Sequence, residues 1–500
     1  MTPRSARLWW PVFAIAGACI VVAIVVWLVR PRADASFETE EQAWNQLATR
    51  ENDLKLWINF IDLHADEGDD SPIGDGAIRQ QLARMAPGPN ATLAKFWYEH
   101  HSKQAKPDAQ VMALADAPKP ARYANYLLAR TALLDDEDSL WPEAVKRFER
   151  EGFAFGEVRD LRRSLAVLDD HDAWGELGKR ARDPRYAKAV DASLRLDIAI
   201  HDRDWAGIAL WLWPAGYVHT RAWPIALAIL SAVLWLAITT RLGRVGDPAP
   251  GRALLYAAAF ALGILSIYPT LLVSLVEEEI FHFKIVEQTV PDAIYFIFGV
   301  GLREEAAKLL LFLPLLPVLL RRGSRIEAMT CGALVGLGFA AEENIGYFAH
   351  GAPGGALARF LTANFLHMSL TALIALSVYD AKRGRSMPHD RFNVMFPLVV
   401  LIHGAYDFFL SDSEFGNLSL LSMFLLILAA RQFLRQLLIA SSRMEEEGVL
   451  RLFVWSLTLL TGVSYIYATT LAGPWLALRL LSVGSLGVAF LIYIFVRELT

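Results

Sequence analysis

A chain that crosses hydrocarbon must satisfy its backbone hydrogen bonds internally, and a charged side chain at the middle of a span costs ~2.5–3.5 kcal/mol on insertion scales. Against that cost, the second half of this 500-residue chain places four polar clusters inside long apolar runs. They are Glu304-Glu305-x-x-Lys308, Glu342-Glu343-Asn344-x-x-Tyr347, His367 within Phe-Leu-His-Met, and His403-x-x-x-Asp407. Groups of this kind face a protein interior and act there. The helices that carry them must therefore bundle with the clusters turned inward.

Apolar runs recur at residues 8–29, 223–240, 253–275, 293–320, 328–349, 360–380, 394–410, 418–438, 452–471 and 475–496. Each is close to the ~20 residues that span a bilayer. The expected fold is all-α, a polytopic membrane bundle of about ten spans with an inserted extracytoplasmic helical domain. The run at 293–320 would reach ~42 Å at 1.5 Å per residue, so it must tilt, kink near Pro314 and Pro317, or protrude. The first run is longer than a signal-peptide core and has no clean cleavage site, and it reads as a retained anchor. Domains are expected at 1–33 (anchor), 34–221 (outer helical domain), 222–446 (catalytic core) and 447–500 (a terminal pair of spans).

The loops fix an orientation. Arg241, Arg244 and Arg252, then Arg321, Arg322 and Arg325, then Lys382, Arg383, Arg385 and Arg391, then Arg443 and Arg451 fall in alternate loops, and the intervening ones are nearly free of Lys and Arg. By the positive-inside rule the basic loops are cytoplasmic. That puts residues 34–221 in the periplasm of a bacterium, with the rest multi-pass in its inner membrane. The net charge of -5 and the lack of a basic face argue against a nucleic-acid partner. Cys19 and Cys331, both in apolar runs, cannot build a disulfide framework or a cysteine-rich zinc site.

Residues 34–206 read as soluble helix. Apolar positions recur at spacings of three and four, as in Leu54, Trp57, Ile58 and Ile61, and Pro/Gly clusters such as Ala86-Pro87-Gly88-Pro89 separate the stretches. Trp141-Pro142-Glu143-Ala144-Val145 through Phe148 has the aromatic-then-small pattern of a tetratricopeptide-like helix, although no repeat of fixed length recurs. An irregular bundle is the alternative. In either form the domain is expected to bind a partner or substrate.

Counting residues from the outer ends of their spans puts Glu304, Glu343, His367 and His403 at ~9 to 16 Å below the outer surface. Within clusters, Glu304 and Lys308, Glu343 and Tyr347, and His403 and Asp407 are i, i+4 pairs on one helix face. Gly332, Gly336 and Gly338 on the helix of Glu342 and Glu343 suit close backbone approach. Arg303 and Lys308 formally balance Glu304 and Glu305. Glu277 to Glu279, His282 and His350 read as interfacial, and Asp380 as the start of a loop. Two adjacent glutamates, two histidines and Asp407 in one layer suit water attack on an amide, by acid-base chemistry or with a metal. A proton-coupled transporter or a non-catalytic scaffold would also use buried carboxylates and histidines, although no paired repeat of broken helices marks a transporter.

Glu304-Glu305-Ala-Ala-Lys308, Phe339-Ala-Ala-Glu342-Glu343-Asn344-x-x-Tyr347, His367 and His403-Gly-Ala-Tyr-Asp407 resemble the motif set of the PrsW family of intramembrane proteases. That family is related to the CAAX prenyl endopeptidase and bacteriocin-processing group. The resemblance spans about residues 250 to 440, leaving the soluble domain and the last two spans unexplained. It implies endoproteolysis of membrane proteins near the outer surface, in some members the first cut of an anti-sigma factor. It carries the paired glutamates onto Glu304 and Glu305 and the histidines onto His367 and His403. Glu343 and Asp407 join them as catalytic candidates, with Lys308, Asn344 and Tyr347 supporting. No cofactor is certain from the residues. Zinc or another divalent metal on His367 and His403 and a metal-free glutamic mechanism both remain open.

Overall fold

Among the described residues the apolar runs become helix, because a helix closes its backbone hydrogen bonds within one segment. The computed structural model describes residues 3–29, 39–68, 71–134, 139–218, 220–242, 251–350, 355–385, 391–411, 419–440 and 446–482, and among them the regular structure is helical with no strand. The chain separates into two compact units. One is Pro31–Ala215; the other joins Met1–Arg30 to Gly216–Thr500.

Within Pro31–Ala215 each helix packs mainly on its near neighbours in sequence, as in a helical array. Two apolar clusters result, one around Trp57, Phe60 and Trp97 and the other around Val145, Phe148 and Leu165. Trp141–Phe155 opens with Pro142 in its first turn, where the missing N–H is not needed, and buries Ala144, Val145 and Phe148. Its buried Glu151 accepts the Tyr123 backbone N–H at 2.5 Å, at the start of the helix Ala124–Leu134. Burial pushes the Glu151 carboxyl up to about 7.

The other unit is a multi-pass membrane bundle. Seven described helices are long and apolar enough to cross a bilayer: Trp10–Leu28, Ala222–Leu242, Arg252–Glu279, Ala358–Lys382, Phe392–Ser411, Leu420–Ala440 and Gly448–Ala472. Arg325–His350 adds a helix of 26 residues whose three acidic residues, Glu327, Glu342 and Glu343, lower its apolarity. The expected run at 293–320 is broken. A π-helical segment Tyr295–Gly301 leads into Leu302–Phe312, and a 3-10 turn Leu313–Leu315 separates that from Leu316–Arg322. Pro314 and Pro317, which cannot donate to the ladder, account for the second break. The expected last span is described only as far as 482, and residues 34–38, Arg30, Arg32, Arg244, Arg443 and the side chain of His350 lie outside the described residues.

At the centre, Arg325–His350 packs against Ala363–Lys382, with Arg252–Leu265 and Ala222–Leu242 on its other sides. Glycine lets the backbones meet: a Cβ on Gly336 would lie 2.2 Å from the His367 carbonyl oxygen, and one on Gly338 2.2 Å from that of Phe260. The glycine-bearing helix starts at a capping box, in which Ser324 N–H donates to Glu327 at 2.9 Å and Glu327 N–H returns to Ser324 Oγ at 3.4 Å. Asp380 is not a loose loop residue. It is buried and accepts two hydrogen bonds from Arg325, at 3.1 and 2.8 Å, tying the ends of the two central helices together.

Candidate active site

The polar clusters meet around one ammonium group. Lys308 Nζ donates to Glu304 Oε2 at 3.1 Å, to Glu305 Oε1 at 2.9 Å and to His367 Nδ1 at 2.9 Å. It lies 3.9 Å from the centroid of the Phe339 ring, a cation–π contact. Helical spacing brings the two glutamates to their lysine, one and nearly one turn away. The histidine arrives from a different helix, held close by Gly336. Lys308 and Glu305 are fully buried, and Glu304, His367 and His403 nearly so.

His367 is oriented from both sides. An ammonium can only donate and an ionised carboxylate can only accept, so its Nδ1 accepts from Lys308 and its Nε2 donates to Glu343 Oε2 at 3.0 Å. Glu343 is held in turn by Arg359, whose Nη2 donates to the same oxygen at 2.8 Å. Arg359 Nε also donates to Asn344 Oδ1. Asn344 continues the chain inward, donating to Asn364 at 2.7 Å, and Asn364 donates to Ser231 at 2.6 Å. A buried polar ladder thus joins three helices behind the site.

His403 lies edge-on to His367, with ring centroids 5.0 Å apart. Its Nε2 is 3.3 Å from Asp407 Oδ2 and 3.5 Å from Glu304 Oε2. Its buried Nδ1 sits 2.9 Å from Glu305 Oε1 without hydrogen-bond geometry. The close approach depends on Gly301 and Gly404. A Cβ on Gly404 would be 2.4 Å from Ile297 Cα, and one on Gly301 2.6 Å from the Val400 carbonyl oxygen. The π-helical segment that ends at Gly301 therefore sets how the paired glutamates face His403, a common place for π-helix.

Several expected partners differ. Arg303 does not balance Glu304 and Glu305; it pairs with Glu277 at 2.5 Å, which removes Glu277 from the set of merely interfacial acids. The i, i+4 pairs Glu304–Lys308 and His403–Asp407 form. Tyr347 instead is exposed and lies under the Arg359 guanidinium, 3.6 Å from its ring centroid. Glu342 points elsewhere and accepts from the Tyr217 hydroxyl at 2.5 Å. Arg359, Asn364 and Ser231 were missed from sequence. Arg359 had a signal, being the only Lys or Arg between Arg325 and Lys382.

One oxygen of Glu304 and one nitrogen each of His367 and His403 lie within 4.8 Å of one another. Tetrahedral ligands ~2.0–2.1 Å from zinc are ~3.4 Å apart, so a small closure would bring these three to bonding distance. Two imidazoles and a carboxylate form a catalytic-zinc type of donor set, with each histidine's other contacts including a carboxylate. The orphaned Nδ1 of His403 also fits a missing electrophile. Charge points the same way. Glu304, Glu305, Glu343 and Asp407 face Lys308 and Arg359, which leaves a formal -2 with both imidazoles neutral. The residues present fit a divalent cation.

Residues 251–430 match the family model described as PrsW family intramembrane metalloprotease, a stretch that contains every cluster of the site. No curated protein and no solved structure matches the chain.

Proposed function

Proceeding from the similarity of residues 251–430 to the PrsW family of intramembrane metalloproteases, we propose that this protein is an intramembrane endopeptidase that hydrolyses peptide bonds of membrane proteins. The observation that carries the reading is the buried group of Glu304, Glu305, His367 and His403, an acid-base and metal-donor set inside otherwise apolar helices. So many ionisable groups are costly in a bilayer unless they serve a reaction or a transport path.

In this reading Glu304, His367 and His403 would hold a divalent cation. When bound, it supplies Lewis acidity and a water of lowered pKa. Glu305 is the base. It takes a proton from the attacking water as the water oxygen adds to the carbonyl carbon, and it returns that proton to the amide nitrogen as the C–N bond breaks. Glu343 and Asp407 orient His367 and His403, and Arg359 holds Glu343. The side chains of Asp407 and Glu343 are 28% and 20% exposed whereas those of Glu305 and Lys308 are not exposed at all, so the scissile bond approaches from the Asp407–Glu343 edge.

The alternating basic loops support an orientation with residues 34–221 in the bacterial periplasm and the site near the outer face of the inner membrane. There the soluble unit selects or gates substrates, which include anti-sigma-factor-like membrane proteins. Deleting it while keeping the first anchor should broaden cleavage; unchanged rate and selectivity would refute the gating role.

The deciding experiment presents single-pass membrane substrates to the full chain purified in detergent, with and without chelator. Cleavage that chelator stops and zinc restores is the expected result. Chelator-insensitive cleavage by metal-free protein would replace the metal mechanism with a glutamic one. Failure to cleave any of a panel of such substrates would turn the reading toward a transporter or scaffold.

A further inference from the structure

The Lys308 ammonium is more than a neighbour of the candidate ligands. It is within hydrogen-bond distance of two of the three, Glu304 and His367, and also of Glu305. The orientation of His367 sharpens the point. Because Nε2 is committed to Glu343, the lone pair on Nδ1 is the one free to bind a cation, and Nζ now sits on it at 2.9 Å. A zinc ion on the same lone pair would be ~2.0–2.1 Å from Nδ1. It would then contend with Nζ for the same space. The two cations cannot occupy the site together.

We propose that Lys308 is a built-in counter-cation that fills the metal position when no metal is bound and must leave it for metal to bind. The proposal rests on the metal reading given above. In the metal-free protein, the ammonium neutralises buried carboxylates that would otherwise repel one another. Metal loading is then an exchange of one cation for another. The lysine has somewhere to go: Glu305, which is outside the ligand group, and the Phe339 ring face both contact it already and can retain it after it gives up Glu304 and His367. The exchange has two consequences. Lysine weakens the apparent metal affinity of the native protein, and it keeps the metal-free form folded.

The test compares zinc binding and thermal unfolding of the full chain in detergent for the wild type, Lys308→Met, Lys308→Gln and Lys308→Arg. Zinc affinity is read by competition with a chromogenic chelator, and unfolding is followed in chelator and in excess zinc. Removing a competing buried charge should tighten zinc binding about tenfold or more in the Met and Gln variants. Their unfolding midpoint should fall in chelator and recover in zinc, while Lys308→Arg, which keeps the charge, should not bind more tightly than wild type. Lys308→Gln keeps the question answerable if Lys308→Met is not monodisperse. Zinc bound by the Met or Gln variant but not by wild type would also support the proposal, as complete exclusion by lysine. Equal or weaker binding in both neutral variants would overturn it while leaving the metal reading intact. No zinc bound by any of the four proteins would overturn both.

Discussion

Gly336→Ala tests whether backbone contact between the two central helices sets the site. A Cβ at this position would lie 2.2 Å from the carbonyl oxygen of His367, the residue whose ring completes the cluster. Ordinary contact begins near 3.4 Å, so the helices must part by ~1.2 Å or the oxygen must shift by as much. Backbone has little room to give, and overpacking of this kind costs about 1–3 kcal/mol. The chemistry is more sensitive. Carried through to the ring, that displacement stretches the 2.9 Å contact between Lys308 and His367 to ~4 Å, and misplacement of a reacting group by ~1 Å can cost ~10²-fold in rate. The control is Gly346→Ala on the same helix, where a Cβ would meet nothing within 4 Å. There alanine should be neutral or stabilise by about 0.5–1 kcal/mol through helix propensity. Both variants are compared for cleavage of a single-pass substrate and for thermal unfolding in one detergent. Wild-type rate in Gly336→Ala, or equal damage from the two substitutions, would refute the idea that close helix contact positions His367.

Further outcomes follow from other parts of the molecule. Glu305→Gln should abolish cleavage and also lower stability, by about 3–5 kcal/mol, because it leaves the buried Lys308 short of a counter-charge. Glu305→Gln combined with Lys308→Met should regain part of the stability but no cleavage, and a double variant that still turns over would remove Glu305 from the chemistry. Arg359→Gln releases Glu343 and with it the orientation of His367, so zinc affinity and cleavage should both fall about 10–100-fold; a loss confined to stability would make Arg359 purely structural. In the soluble unit, the raised Glu151 carboxyl favours the folded state when protonated. That contribution is complete below the ordinary carboxylate range and is lost as pH rises through about 7. Hydrogen exchange at the amides of Tyr123 to Tyr126, corrected for intrinsic rate, should speed up between pH 5 and 8 by this route, and Glu151→Gln should flatten the response.

What the sequence determined by itself is what local spacing controls. Apolar runs of bilayer length became helices, and the i, i+4 pairs Glu304–Lys308 and His403–Asp407 formed, because 3.6 residues per turn leaves such partners little choice. The prolines at 314 and 317 announced a break for the same local reason. Tertiary structure decided everything that needed a partner from another helix. Arg303 and Lys308 looked equivalent beside the paired glutamates, yet they point to different faces, and only packing shows that Arg303 meets Glu277. Glu342 and Glu343 are adjacent in sequence, but successive residues are ~100° apart around a helix, so one reaches Tyr217 and the other His367 and Arg359. The ladder from Arg359 through Asn344 and Asn364 to Ser231 joins residues separated by a loop and by other helices, a distance that periodicity cannot cross. The register of the helices came last. It is set by backbone meeting backbone at Gly301, Gly336 and Gly404, where the decisive feature is the absence of a side chain, and a missing atom becomes informative only once its neighbour is known.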